Sequence, residues 1–261
     1  MSWSPKPLDP ADVTVHRRGR GKPLILLHCL GMDWQFWDVL EPLADQFELI
    51  AYSLPGHHDT KVSKGQYGEA ELSEQLRALM KREGLAKASI AGISMGGSMA
   101  QHFAGTYPDM VDRVILCDCT PRYNDEMRAA WPVRAEIART KGVASLIPML
   151  EKVFFTQASL DQNGPNVRHV KEKWASCAGE GYALGCEWLA HVDAREQAKK
   201  MNMPTRILLG SNEGPPFKEA ACWMSDNIPG SRGIVEVPEA GHASVRERPE
   251  FVVEEFRQFL S

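Results

Sequence analysis

Gly92-Ile93-Ser94-Met95-Gly96-Gly97 decides how this chain is read. It directly follows a strand-like run at 88–91 and opens a helix-like stretch at 98–107. Glycine at 92 and 96 removes the side chains that would block a sharp turn between strand and helix, leaving the serine hydroxyl exposed above the sheet edge. The helix N-terminus adds amide donors and the positive end of a dipole where an oxyanion would form. Ser94 is therefore the candidate nucleophile.

Outward from this turn, short apolar runs recur at 23–27, 47–53, 88–93, 111–117, 205–209 and 233–237, punctuated by Gly, Pro or Asp. Amphipathic helical patterns occupy 69–82, 98–107, 217–227 and 249–260. That alternation predicts an α/β fold with a mostly parallel sheet flanked by helices. From 122 to 201 the rhythm stops. This stretch is helix-like, rich in Trp, Arg and Met, and holds no convincing strand. It is expected to be an inserted helical lid (122–201) over a core made of 1–121 and 202–261, the other reading being long crossover helices.

The 261 residues, 43% hydrophobic and 25% charged, are enough to bury a large core and exclude disordered, fibrous and disulfide-scaffold classes. Thirty Lys+Arg against 34 Asp+Glu leave a formal charge of −4, with no clustering of basic and aromatic residues. Nucleic acid and anionic membrane are not expected partners. The longest nearly apolar stretch, 23–31, falls far short of the roughly 20 residues a spanning helix needs. The first ten residues lack the apolar segment of a secretory signal, so a cytoplasmic location is expected. Cys29, Cys117, Cys119, Cys177, Cys186 and Cys222 lie mostly in apolar or helical-looking segments, and reduced core thiols are the expectation.

A nucleophilic serine needs a base. His242, in Glu239-Ala240-Gly241-His242-Ala243 after the last apolar run, is placed to supply one from a loop. His102, on the helix after the serine turn, reads as a packing or surface residue. Two acids compete to orient the imidazole: Glu213, in the loop after 205–209, and Asp118, at the end of 111–117. Glu213 is preferred, because a strand-end aspartate has a simpler use in bonding nearby backbone. The oxyanion donors are expected to be the backbone amides of Met95 and Leu30, the latter in the turn Leu27-His28-Cys29-Leu30-Gly31. His28 and Cys29 read as support for that turn. Cys29 is rejected as a nucleophile, since no base stands beside it in sequence.

Taken together these residues resemble the α/β-hydrolase superfamily and, within it, the 3-oxoadipate enol-lactonase group. The likeness runs over nearly the whole chain, through residues 28–33, Pro55-Gly56-His57, Ser94-Met95-Gly96-Gly97, residues 107–113 and Gly241-His242. The stretches 131–142 and 181–187 resemble lid segments of the enol-lactonases. The resemblance implies Ser94, His242 and Glu213 as the catalytic triad, in the chain order serine, acid, histidine. It implies small carboxylate-bearing lactones as substrates, with Trp131 and Arg134 at lid positions facing such a ligand. Four departures stand out: Cys29 where glycine is usual, Ser53 where aspartate is usual, His58 where glycine often follows Pro-Gly-His, and Glu213 in place of aspartate. All but Ser53 are expected near the pocket, and the altered rim points to a substrate other than 3-oxoadipate enol-lactone itself.

The expected chemistry is acyl transfer through Ser94 on an enol-lactone or ester. No metal-ligand cluster or phosphate-binding glycine loop is visible in the sequence, so no cofactor and no metal are expected. Carbon–carbon bond hydrolysis, amide hydrolysis and a non-catalytic small-molecule receptor are the alternatives on the same fold. Assembly into a homo-oligomer is compatible with the sequence and not indicated by it.

Overall fold

Seven strands form one sheet in the computed structural model, which describes residues 3–261. They are β1 (Val15–Gly19), β2 (Lys22–Leu27), β3 (Phe47–Tyr52), β4 (Ala88–Ile93), β5 (Val111–Cys117), β6 (Thr205–Gly210) and β7 (Ser231–Val237). Their spatial order is β1-β3-β2-β4-β5-β6-β7, parallel throughout except for β1, which runs antiparallel to β3. The six expected strands are all present. β4 is buried along its whole length, as a central strand covered on both faces must be.

β1 has no counterpart among the expected strands. Its sequence, Val15-His16-Arg17-Arg18-Gly19, is polar because it forms the sheet edge, bonded on one side only. Arg17 uses that position to pair with Glu48 and Glu83.

The helices of the core are α1 (Glu69–Arg82) and α2 (Met95–Thr106). After β5 come α3 (Asp125–Lys141), α4 (Ile147–Phe154), α5 (Gln157–Gln162), α6 (Pro165–Ser176), α7 (Gly179–His191) and α8 (Arg195–Ala198), with no strand among them. The chain returns through α9 (Pro215–Asn227), α10 (Ser244–Glu247) and α11 (Pro249–Leu260). The short α8 packs on the core: a Cβ at Gly105 of α2 would stand 2.0 Å from the Gln197 carbonyl oxygen. No helix among the described residues is long and apolar enough to cross a membrane.

The helices between β5 and β6 rest on the loops at the carboxyl ends of the strands, where ligands bind in open parallel sheets. Four contacts seat them. Gly181 of α7 meets Gly56 so closely that a Cβ on Gly181 would lie 1.8 Å from the Gly56 carbonyl oxygen. Trp174 of α6 covers Gly31, and Lys173 donates to the buried carboxylate of Asp33 at 2.5 Å. Glu247 of α10 accepts from the Thr156 amide (2.9 Å) and hydroxyl (2.8 Å) beyond α4, and from the Gly241 amide (2.7 Å) beside His242. One carboxylate thus ties the helical insertion to the histidine loop.

Candidate active site

Ser94 joins β4 to α2 with φ of +51°, a left-handed conformation forced by the sharp turn. The neighbouring glycines are required for packing. A Cβ at Gly92 would lie 2.3 Å from the Gly96 carbonyl oxygen, and one at Gly96 would lie 2.1 Å from that of Leu27. The turn therefore closes against β2 only with hydrogen at both positions.

His242 Nε2 lies 2.8 Å from Ser94 Oγ, and His242 Nδ1 is hydrogen-bonded to Glu213 Oε1. With Nδ1–H donating to the carboxylate, Nε2 is left free to accept from the serine hydroxyl. Glu213 Oε2 accepts from the Gly214 amide at 2.9 Å, which fixes the carboxylate plane at the end of β6. The imidazole is held between Phe154, edge-on, and Phe217, tilted, with ring centroids 5.0 and 4.6 Å away. Burial alone would lower the His242 pKa, but the negative charge and hydrogen bond of Glu213, with the charge of Asp118, outweigh it and raise the pKa.

Asp118 is close to this chain of hydrogen bonds without belonging to it. Its Oδ1 accepts from the Gly210 amide at 2.8 Å and its Oδ2 from the Ser244 hydroxyl. It therefore braces the strand that carries Glu213 and the helix that follows His242. Burial, then the neighbouring charge of Glu213, push its carboxyl well above the usual range. Of the two acids open to sequence reasoning, Glu213 is the one in contact with the imidazole.

Met95 follows Ser94 as the first residue of α2, and Leu30, three residues beyond β2, lines the same cavity as Ser94. Neither amide is used in a turn, cap or side-chain hydrogen bond among the described residues. His28 supports the Leu30 turn: Nδ1–H donates to the Cys29 carbonyl at 2.8 Å, and Nε2 accepts from the Leu54 amide at 2.8 Å. Burial pushes its imidazole down to about 4, so it stays neutral in this role. The Cys29 thiol is buried and pushed up by that burial, which leaves no thiolate to attack. His102 is buried against Ser73, with its Nδ1 2.8 Å from the Ser73 hydroxyl. All the cysteines are free thiols, and only Cys222 is exposed.

Above Ser94 lies a cavity of about 50 Å³ whose lining includes Leu30, Tyr123, Trp131, Arg134, Tyr182 and Phe217. The Arg134 guanidinium stacks on the Trp131 ring, 4.5 Å from its centroid. It has no carboxylate partner among the described residues, and one of its nitrogens donates to Met149 Sδ at 3.5 Å. Trp131 Nε1 and Tyr123 Oη are buried without hydrogen-bond partners. Tyr123, Trp131 and Arg134 each bring N–H or O–H donors to the wall of this cavity, those of Tyr123 and Trp131 without a partner.

The departures at 29 and 58 do not line the cavity. Cys29 is packed beneath the turn, and His58 stands 3.9 Å from the Asp33 carboxylate with φ of +45°, the conformation in which glycine is at ease. Both were expected near the pocket; neither side chain forms its wall, Cys29 lying in the buried turn next to the lining residue Leu30 and His58 beside Asp33. Ser53 donates to Asp59, which supplies from six residues on the carboxylate that position 53 lacks. Sequence reasoning overlooked Tyr123, Phe154, Phe217 and Glu247. Tyr123 was within reach, since it follows β5 by six residues and loops after the strands build the site in such a fold.

The family model described as alpha/beta hydrolase fold matches residues 22–139. The chain is 26% identical to 3-oxoadipate enol-lactonase 2 of Acinetobacter baylyi, over 87% of this chain and 84% of the relative. It is 30% identical to the pimeloyl-[acyl-carrier protein] methyl ester esterase of Legionella pneumophila (strain Paris), over 86% of this chain and 89% of that protein. The crystal structure of the enol-lactonase from Burkholderia xenovorans superposes with a TM-score of 0.90 at 25% identity, covering 95% of this chain and 96% of the other. The chain belongs to the alpha/beta hydrolase fold family.

Proposed function

We propose that this protein is a serine hydrolase that opens small carboxylate-bearing enol-lactones or esters by acyl transfer. The observation that carries the reading is the hydrogen-bonded series Ser94–His242–Glu213 beneath a small cavity bearing an Arg134 without a carboxylate partner. His242 takes the proton of Ser94 as the oxygen attacks the carbonyl carbon, and the Leu30 and Met95 amides receive the developing oxyanion. The carbonyl–oxygen bond then breaks and His242 returns the proton to the leaving oxygen. Water attacks the acyl-serine by the same route in reverse. An enol leaves as an enolate or ketone and asks little of His242 as an acid.

Arg134 suits a carboxylate because its planar fork can donate two parallel hydrogen bonds, and Trp131 holds it in place. The relatives support the class: the names of the two curated proteins above speak of an enol-lactone and of a methyl ester. The helical insertion is read here as a lid that excludes water from the acyl-enzyme step.

The test is a panel of enol-lactones and methyl esters, each with and without a carboxylate, followed by ultraviolet absorbance. Preference for the carboxylated members by tenfold or more in kcat/KM supports the reading. Equal turnover of neutral and carboxylated members, or turnover of amides or vinylogous diketones alone, would remove it.

A further inference from the structure

We propose that Tyr123 is a further catalytic residue, whose phenol donates a hydrogen bond to the leaving oxygen of the ester or lactone. The inference rests on the hydrolase reading above, and it goes beyond it in naming the group that meets the departing atom. Tyr123 is 2% exposed, yet its Oη has no hydrogen-bond partner. A buried hydroxyl left unpaired is destabilising; the Tyr52 hydroxyl is unpaired in the same way, but Tyr123 alone of the two lines the cavity over Ser94. The hydroxyl is beside those of Ser94 and Ser98, near enough for both to bear on its ionisation. Ser98 donates to the Thr120 carbonyl at 2.7 Å and Ser94 to His242, so neither serine has a hydrogen left to give the phenol, and the phenol's own hydrogen is the one free to meet a substrate oxygen. The ring is fixed edge-on against Trp131 and Phe217, so the phenol is held rigidly at the cavity wall.

Topology indicates which substrate oxygen it meets. β4, which carries Ser94, is flanked by β2 and β5. Leu30 follows β2, so the carbonyl oxygen is drawn to that side, by the Leu30 and Met95 amides. Tyr123 follows β5, on the opposite side, where β6 and β7 also deliver Glu213 and His242. The second oxygen of the ester, which must receive a proton from His242 Nε2, faces that side as well. In the step proposed, the Ser94 Oγ–carbon bond has formed and the carbon–leaving-oxygen bond breaks, its electron pair passing to that oxygen. The proton comes from His242; Tyr123 keeps its own and contributes a hydrogen bond that strengthens as negative charge accumulates.

The experiment compares wild type with Tyr123→Phe on two acetates that share an acyl group, ethyl acetate and 4-nitrophenyl acetate. Nitrophenoxide is stable without help, whereas ethoxide is not. The expected result is a fall in kcat/KM of about 10- to 100-fold on the ethyl ester and less than about threefold on the nitrophenyl ester. The melting temperature of Tyr123→Phe should equal or exceed that of wild type, because the lost hydroxyl bonds nothing in the protein. An equal fall on both esters, no fall on either, or a lowered melting temperature would overturn the proposal in favour of a structural role or of support for Ser94. The two readings fail separately. Absence of lactone opening with an intact ester contrast removes only the lactone assignment, and lactone opening without the contrast removes only Tyr123.

Discussion

His242 donates through Nδ1–H to Glu213, while Asp118 stops one hydrogen bond short, committed to Gly210 and Ser244. Two carboxylates therefore share one buried corner with different tasks. One orients the imidazole, and the other holds the strand and helix that bring acid and base together. Glu213→Gln should lower kcat by about 100-fold or more, because the amide no longer favours the tautomer with Nε2 free. Asp118→Asn should stay within about fivefold of wild type, since an asparagine can still accept from Gly210 and donate to Ser244. Steady-state kinetics of the two variants side by side decide the matter, and the reverse order would make Asp118 the orienting acid.

The raised pKa of His242 sets the pH dependence. The imidazole must be neutral to take the serine proton, so kcat/KM should be lost as pH falls through that pKa, above the ordinary histidine value. Removing the charge of Glu213 removes what stabilises the imidazolium. The residual activity of Glu213→Gln should then keep its plateau to lower pH than wild type. A pH–rate profile of both proteins checks the direction.

Arg134 carries the carboxylate selectivity of the account. Arg134→Ala should raise KM for a carboxylated substrate by about 10- to 100-fold, the worth of a charge-assisted hydrogen bond. A neutral ester of similar size should be turned over nearly as before. Arg134→Lys should recover only part of the affinity, because a point charge does not reproduce the fork.

Glu247 couples the helical insertion to the histidine loop through Thr156 and Gly241. Glu247→Ala strands three donors and should destabilise the fold by about 2–4 kcal/mol. Thermal unfolding should show a melting temperature roughly 5–10 °C lower. kcat should fall with it, because the same change loosens the backbone beside His242.

Much of the fold and site is legible in the sequence, for identifiable reasons. The parallel strands announce themselves because strands buried on both faces are nearly all apolar, as in 88–93 and 205–209. The serine turn was readable because its geometry tolerates only glycine at 92 and 96. β1 stayed hidden because an edge strand presents polar side chains and uses half its hydrogen bonds, so Arg17 and Arg18 mask the period. The choice between Glu213 and Asp118 lay beyond sequence because both follow strands that end at the same sheet edge. Both carboxylates accept from a backbone amide, and only the hydrogen bond between His242 and Glu213 tells them apart. The position of Tyr123 in the loop after β5 is legible, but its unpaired hydroxyl is not, because that is a fact about surroundings and a single letter carries none.

The most direct test of the central claim is the ring-opening rate of a carboxylated enol-lactone, measured by ultraviolet absorbance for wild type and Ser94→Ala at equal concentration. The account predicts that kcat/KM falls by about a thousandfold or more in the variant, with folding unchanged by circular dichroism. A Ser94→Ala protein that opens the lactone within tenfold of wild type would contradict it.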